Sequence, residues 1–126
     1  MLDADVTRLI VREYAHFENA AQCAAFARSA VVPERVVQTW AYSPDTHACS
    51  IVARTASKQF VYCATGFGPA FPWSVQPLGA TDLGMEGLWH AYLYECVVGT
   101  ELWPAVPADL LLMGPGERQP RLEFEA

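Results

Sequence analysis

The sequence predicts an α+β fold, in which an antiparallel sheet of about four strands carries two helices on one face in the order β-α-β-β-β-α. Three observations lead to this prediction. An alanine-rich segment follows a helix-capping signal at Asn19, residues 35–42 are dense in β-branched and aromatic residues, and helical apolar spacing recurs over Met85–Val98. With 126 residues, 52% of them hydrophobic, the chain is expected to form one domain with a substantial core.

The segment Thr7–Phe17 is predicted to be the first strand. Its apolar residues alternate along one face, interrupted by Glu13: Leu9, Val11, Ala15 and Phe17. A helical alternative instead groups Val6, Ile10, Tyr14 and Phe17 on one side. The strand is favoured because the capping signal at Asn19 indicates that a new element begins there.

The first helix is predicted over Ala20–Ala30. Asn19-Ala20-Ala21-Gln22 matches a capping box, in which the Asn side chain accepts from a first-turn amide and Gln22 reaches back to the cap. Alanine is the strongest helix former, and Pro33 prevents continuation. The predicted buried face consists of Cys23, Phe26, Ala27 and Ala30.

Three strands of a meander are predicted next, over residues 35–42, Ala48–Thr55 and Lys58–Thr65. The turn Ser43–Thr46, with Pro44 preset for a central position, is expected to join the first two. The opening order of strand, helix, strand and strand is similar to half of a ferredoxin-like fold.

The second half of the chain begins with the loop Gly66–Trp73, the short extended piece Ser74–Gln76 and the loop Gly79–Gly84, where Thr81 or Asp82 is available as a helix cap. A second helix is predicted over Met85–Val98 and is expected to end at Gly99. Its predicted apolar face consists of Met85, Leu88, Trp89, Tyr92, Leu93 and Cys96. From about residue 100 the chain is rich in proline, with one short strand expected near Leu110–Met113.

The net charge of −6 comes from one block of the chain. Residues 1–58 contain six acids and six bases, whereas no lysine or arginine lies between Gln59 and Glu117. The acids of this block are Asp82, Glu86, Glu95, Glu101, Asp109 and Glu117. An acidic segment attracts a basic partner by its long-range field, or it simply keeps a hydrophobic protein soluble, and the asymmetry alone favours neither.

Composition also excludes several classes of protein. Eight dispersed basic residues are too few for direct nucleic-acid binding, and no apolar run has the length of a membrane span. The acidic N-terminus does not match a secretory signal, so a cytoplasmic location is expected. The four cysteines contain no C-x-x-C pair and are expected to be free, buried thiols.

The sequence contains no motif that predicts catalysis. The three histidines fall in different predicted elements, no serine lies in a G-x-S-x-G context, and no metal-ligand spacing occurs. A Cys/His pair that meets only in space stays open. The pair Asp82 and Glu86 is interpreted as a helix cap with a first-turn acid. We therefore expect neither an enzyme nor a metal or other cofactor.

The stretch from Gly68 to Pro104 resembles small bacterial immunity proteins of polymorphic-toxin, contact-dependent and type VI secretion systems. Those proteins carry an aromatic-Pro-Trp segment, an acidic loop, a Leu-Gly-Met-Asp/Glu step and a helix rich in Trp and Tyr. The residues that match are Phe71-Pro72-Trp73, Asp82-Leu83-Gly84-Met85-Glu86, and Trp89 with Tyr92. Ser74 stands where the family pattern has glycine.

The resemblance implies a non-enzymatic inhibitor that binds a cognate toxin and covers its active site. The acidic block agrees with a toxin that has a basic cleft. Partner-binding residues are predicted to be four acids and two loop tryptophans: Trp73, Asp82, Glu86, Glu95, Glu101 and Trp103. The alternative is a regulatory domain that binds a small molecule in an apolar pocket under the loop 66–84, lined by Phe71, Trp73 and Trp89.

Overall fold

Residues 3–105 are described by the computed structural model, and within them α-helices flank a run of strands. The helices are α1 (Asp3–Glu13), α2 (Ala20–Ser29) and α3 (Leu93–Val97). The strands are β1 (Ala30–Trp40), β2 (Ser43–Arg54), β3 (Lys58–Tyr62), β4 (Trp73–Pro77) and β5 (Trp89–His90). Short 3-10 turns cover Tyr14–His16 and Glu86–Leu88. The predicted α+β class is confirmed.

The strands form one antiparallel sheet in the order β1-β2-β3-β4-β5, so each strand pairs with its neighbour in sequence. The sheet thus has five strands rather than about four, and the chain enters it through two helices rather than through a strand. The predicted element order and the ferredoxin-like half are therefore wrong. The meander itself is confirmed, although its first turn is Ala41-Tyr42 and not Ser43–Thr46.

The predicted first strand is wrong, because its residues form α1 and the 3-10 turn that follows it. The helical alternative describes the burial correctly: Val6, Ile10 and Phe17 are buried. Glu13, the residue that interrupts the alternation of apolar residues in this segment, is also buried, with 2% of its surface exposed. Its Oε1 accepts a hydrogen bond from the Leu93 N–H at 2.9 Å, which satisfies an amide in the first turn of α3.

The predicted helix after Asn19 is confirmed. Asn19 Oδ1 accepts from the Gln22 N–H at 2.9 Å, and Gln22 Oε1 accepts from the N–H of Glu18, one residue before the cap. Gln22, Ala25 and Phe26 are its buried residues, so the buried face differs in part from the predicted one. The chain passes directly from α2 into β1 at Ala30.

The predicted helix over Met85–Val98 is wrong in most of its length. Trp89 and His90 pair with β4 instead, with Trp89 opposite Ser74, and only Leu93–Val97 is α-helical. Met85 and Leu88, assigned to the buried face, are 72% and 52% exposed. Neither Thr81 nor Asp82 caps a helix. The expected end is confirmed: Gly99 follows the C-cap residue with φ +81°, a conformation that glycine adopts without strain.

Two separate apolar clusters form the core. The helix-side core combines all three helices with the sheet: Val6, Ile10, Phe17, Phe26, Val52, Ala53, Phe60, Trp73, Leu93, Cys96 and Val97. The loop-side core consists of Cys49, Ile51, Val61, Cys63, Leu83 and Trp89, with Trp40, Phe67 and Phe71 packed against it. Because side chains alternate along β3, Phe60 and Val61 belong to different clusters.

Two sequence predictions lie outside the described residues: the short strand near Leu110–Met113 and the last two acids of the acidic block, Asp109 and Glu117. Within residues 3–105, no helix has both the length and the apolar character needed to cross a membrane.

Candidate functional site

Three glutamines are buried together on the sheet, one from each of three strands. Gln38 of β1, Gln59 of β3 and Gln76 of β4 are each at most 4% exposed. Gln38 and Gln76 exchange two amide hydrogen bonds of 2.9 Å, and Gln59 Nε2 donates to Gln76 Oε1 at 3.1 Å. Since β1 and β4 are not neighbours in the sheet, this glutamine triad shows that the sheet curls strongly about its loop side.

The remaining amide groups of the triad bind the backbone of the loop 78–84. Gln38 and Gln59 both donate to the Ala80 carbonyl, at 3.3 and 3.0 Å. Gln59 Oε1 accepts from the Gly79 N–H at 2.9 Å, and Gln76 Nε2 donates to the carbonyl of Asp82 at 3.4 Å. Buried amides are costly unless they are paired, and here each side chain is satisfied by the others and by the loop.

The same loop is fixed to the free edge of β1 and to two tryptophans. The Thr39 N–H donates to the Thr81 carbonyl at 3.0 Å, and the Leu83 N–H donates to the Thr39 carbonyl at 2.8 Å. Trp89 Nε1 donates to the carbonyl of Leu83, which is itself buried. Trp40 Nε1 donates to the Gly84 carbonyl at 3.1 Å. Loop 78–84 is therefore preorganised by side chains from four strands.

This anchoring leaves a group of large side chains exposed where the loop ends. Tyr42, Met85 and Leu88 are 81%, 72% and 52% exposed. Trp40 joins them, because its ring lies 5.3 Å from that of Tyr42 and its indole N–H binds Gly84, one residue before Met85. We group these residues with the two acids of the same chain segment, Asp82 and Glu86, as the apical surface: Trp40, Tyr42, Asp82, Met85, Glu86 and Leu88.

The apical surface combines the residue types that protein interfaces favour. Tyrosine, tryptophan and methionine are enriched at interfaces, and exposed apolar groups that adjoin one another mark binding sites more often than scattered ones. Its charge is of one sign, since residues 39–43, 66–71 and 81–88 contain no lysine, arginine or histidine. Such an arrangement can bind the surface of a partner that offers apolar groups and positive charge.

The predicted acids are not all brought together. Asp82 and Glu86 lie on the apical surface, where Asp82 Oδ1 also accepts from the Gly84 N–H at 2.9 Å. Glu95 caps α3, because its Oε1 accepts from the Tyr92 N–H at 2.9 Å. Its carboxylate is therefore engaged within its own helix.

Glu101 lies at the other end of the molecule. It accepts hydrogen bonds from Thr55, and from Ser57 at 2.9 Å, in the turn between β2 and β3. These bonds lower the pKa of Glu101 below its usual value. Asp82 instead lies beside Thr39, which is paired with Thr46 near the start of β2. At about 3.3 Å per residue, some 30 Å of strand separates the two acids.

The two predicted tryptophan anchors pack against the helix-side core. Trp73 lies in β4 rather than in a loop, is 1% exposed, and packs its ring 4.9 Å from Tyr62. Trp103 is half-buried against the helix-side core. Since neither indole presents an exposed face comparable with Tyr42, the structure does not support them as anchors.

Sequence reasoning missed the apolar part of the apical surface. The helical spacing of Met85 and Leu88 with Trp89 predicts a buried face for them. The sequence places Tyr42 at the end of a predicted strand, whereas turn residues that follow a strand are frequently exposed. One signal was available: the glycines at 84 and 87 make a continuous helix less favourable there.

Two grooves accompany these features. One, of about 690 Å³, lies along the first half of β2 and includes His47, Cys49 and Thr65 among its lining residues. The other, of about 440 Å³, lies between β1 and the loop 78–84. Neither is lined by Phe71, Trp73 or Trp89, the residues of the predicted small-molecule pocket. Within residues 3–105, no cluster of three or more His, Cys, Asp or Glu side chains is arranged to hold a metal ion.

Comparisons with known proteins give no relative for this chain: no family model, no curated protein and no solved structure matches it.

Proposed function

We propose that this protein is an immunity-type inhibitor, which binds a cognate bacterial toxin through its apical surface and so blocks the toxin's active site. The observation that carries the proposal is the exposure of three large side chains beside the loop 78–84, which the buried glutamine triad holds: Tyr42 in the turn after β1, and Met85 and Leu88 in the segment directly after the loop. A rigid loop loses little conformational entropy on binding, so its exposed side chains can serve as binding anchors.

The charge of the surface indicates the kind of partner. Glu86 and Asp82 lie beside the apolar groups, and residues 81–88 carry no positive charge. A partner with a basic cleft, such as a toxin that acts on nucleic acid or nucleotides, would be attracted by this field and would bind faster at low ionic strength. The resemblance of residues 68–104 to immunity proteins supports the same proposal, since its Leu-Gly-Met-Glu step, Leu83 to Glu86, forms part of the surface.

The alternative, a regulatory domain with a pocket under the loop 66–84, has less support. Trp73 and Trp89, two of its three expected lining residues, are 1% and 0% exposed, and the loop-side core fills the space between the sheet and the loop. Occupation of that space by a small molecule would require the core to open.

The test is capture of a partner, followed by neutralisation. The tagged protein is used to isolate partners from its native host, and the captured protein is expressed in a sensitive bacterium with or without this chain. We expect the wild type to restore growth, and the triple variant Met85→Ser/Glu86→Lys/Leu88→Ser to fail. Asp82 is left unchanged in this variant because it also stabilises the loop.

The matched control is Glu101→Lys, which reverses one charge at the far end of β2. It should restore growth as the wild type does. Equal protection by the triple variant would show that the apical surface is not the binding site. Failure of the wild type to capture or neutralise any toxin would overturn the proposed function itself.

A further inference from the structure

A row of three polar residues crosses the sheet on its helix side. In the strand pairing, Ser50 of β2 is opposite Arg35 of β1 and also opposite Tyr62 of β3. Residues that are directly opposite in an antiparallel pair project from the same face, with Cβ atoms about 4.5–5.5 Å apart. Tyr62 packs against the helix-side core, which places the row on that face. A guanidinium, a hydroxyl and a phenol ring therefore lie side by side.

The groove of about 690 Å³ lies over this row, because Arg35, Ser50 and Tyr62 all line it. Ala48 and Ala64 line it as well. Ala48 is two residues before Ser50 in β2 and therefore projects from the same face. Since each alanine contributes only a methyl group, the groove has room for a ligand, and its volume is typical of small-molecule sites.

The Ser50 hydroxyl is the group that points to a ligand. Ser50 is 7% exposed, and within residues 3–105 its hydroxyl takes part in no hydrogen bond. Buried hydroxyls usually have a partner, because an unpaired one loses its hydrogen bonds to water. In this part of the chain only Trp73 Nε1 is both sealed from solvent and unpaired, so the Ser50 oxygen is still reached from the groove. A ligand in the groove would supply its missing partner.

The charge next to Ser50 is positive. Arg35 belongs to the row, whereas Asp45, the acid among the lining residues, is five residues away in β2, which is about 16 Å at 3.3 Å per residue. His47 also lines the groove, and its Nδ1 is 3.0 Å from the Thr65 hydroxyl. A guanidinium beside a hydroxyl donor matches the paired oxygens of a carboxylate or a phosphate.

We propose that Arg35, Ser50 and Tyr62 bind a small organic anion, a carboxylate or a phosphate monoester, in this groove. The Arg35 guanidinium donates to two anionic oxygens, and the Ser50 hydroxyl donates to one of them. The uncharged part of the ligand lies along the Tyr62 ring, which is 4.9 Å from the ring of Trp73. The groove shares no residue with the apical surface, so the proposal does not depend on the proposed function.

The test is an NMR titration of the full chain with three probes that share a benzene ring: sodium benzoate, sodium phenyl phosphate and neutral benzamide. We expect both anions to bind saturably and to shift the amide signals of Arg35, Ser50 and Tyr62. Benzamide should bind about tenfold more weakly or worse, since it lacks the charge. The anion that binds more tightly identifies the natural ligand as a carboxylate or a phosphate. Because the chain has a net charge of −6, a general attraction of anions cannot produce this preference.

Two variants and a matched control separate a ligand site from an unused groove. Arg35→Gln should weaken anion binding about tenfold or more, because it removes the charge-assisted hydrogen bonds. Ser50→Ala should weaken binding about threefold or more and leave the urea midpoint of unfolding nearly unchanged, since its hydroxyl has no partner among the described residues. Arg28→Gln removes an equal charge from the last turn of α2 and should bind the anions as the wild type does.

The proposal is overturned if neither anion binds saturably below about 10 mM, a limit that allows for weak fragment-sized probes. It is also overturned if benzamide binds as well as benzoate, or if Arg35→Gln binds the anions like the wild type. A large loss of stability in Ser50→Ala would assign the hydroxyl a structural role and contradict its place in the site.

Discussion

The two faces of the sheet are stabilised by different kinds of interaction. On the helix side, apolar residues of three helices pack against Val52, Phe60 and Trp73. On the loop side, no helix is present among the described residues, and the loop 78–84 is held by glutamine and tryptophan side chains that bind its backbone. The helix side is stabilised by burial of area, which is insensitive to direction, whereas the loop side depends on hydrogen bonds of fixed geometry.

This difference has a functional consequence. A helix stabilises its own backbone and buries its apolar face, whereas a loop must find partners for each amide elsewhere. Because the glutamine triad and Thr39 supply those partners, Met85, Glu86 and Leu88 are not needed to fill the core and remain at the surface. The same polar anchoring that fixes the loop thus leaves Met85 and Leu88 exposed for a partner.

The largest effect is expected for the helix side. Phe60 is fully buried, with its ring 5.8 Å from that of Phe26, and Phe60→Ala should lower the free energy of unfolding by about 3–5 kcal/mol. Urea denaturation followed by circular dichroism measures this loss. Val32→Ala, at a position 81% exposed, is the control and should change little. A loss below about 1 kcal/mol for Phe60→Ala would contradict the helix-side core as described.

A smaller but more local effect is expected for the loop side. Gln76→Leu removes partners from Gln38 and Gln59 and leaves buried amide groups unsatisfied, which costs about 1–3 kcal/mol. Amide hydrogen exchange should increase chiefly in the loop 78–84. Phe60→Ala should instead increase exchange throughout the protein. If Gln76→Leu increased amide hydrogen exchange in α1 as much as in the loop 78–84, the two sides of the sheet would not be stabilised independently, which would contradict this account.

The smallest effect concerns Glu101, outside both cores. Its pKa is lowered in the folded protein by hydrogen bonds from Thr55 and Ser57, so its carboxylate favours folding above the unfolded pKa, and this contribution is lost as pH falls through the folded pKa. Thr55→Val should raise the pKa of Glu101 toward its ordinary value. Carboxyl-carbon NMR titration measures the shift. An unchanged titration curve would show that the hydrogen bond from Thr55 does not form in solution.

Local signals in the sequence predicted the parts of the fold that local chemistry decides. The Asn19 cap, the alanine-rich helix and the end of α3 at Gly99 all depend on residues within a few positions of one another. The meander joins strands that follow one another in the chain. The wrong predictions concern residues whose conformation or burial is determined by a partner far away in the sequence. Glu13 is buried because it binds Leu93, eighty positions later, and Trp89 is extended because it pairs with Ser74.

Of the features of the candidate site, the sequence predicts only its negative charge. The absence of basic residues pointed to the segment that carries Asp82 and Glu86, but the triad that positions it comes from three strands whose glutamines have no motif. Trp40, next to Tyr42, reaches Gly84, next to Met85, only because the loop crosses to the edge of β1. No spacing in the sequence indicates that crossing.

The most direct test of the account is native-state amide hydrogen exchange of the loop 78–84, with β3 as the internal reference. If the triad holds the loop, the amides of Gly79, Leu83 and Gly84, each a hydrogen-bond donor, should be protected nearly as well as those of Lys58–Tyr62. Exchange at the rate of an unstructured peptide would contradict it. The apical surface would then have no rigid support.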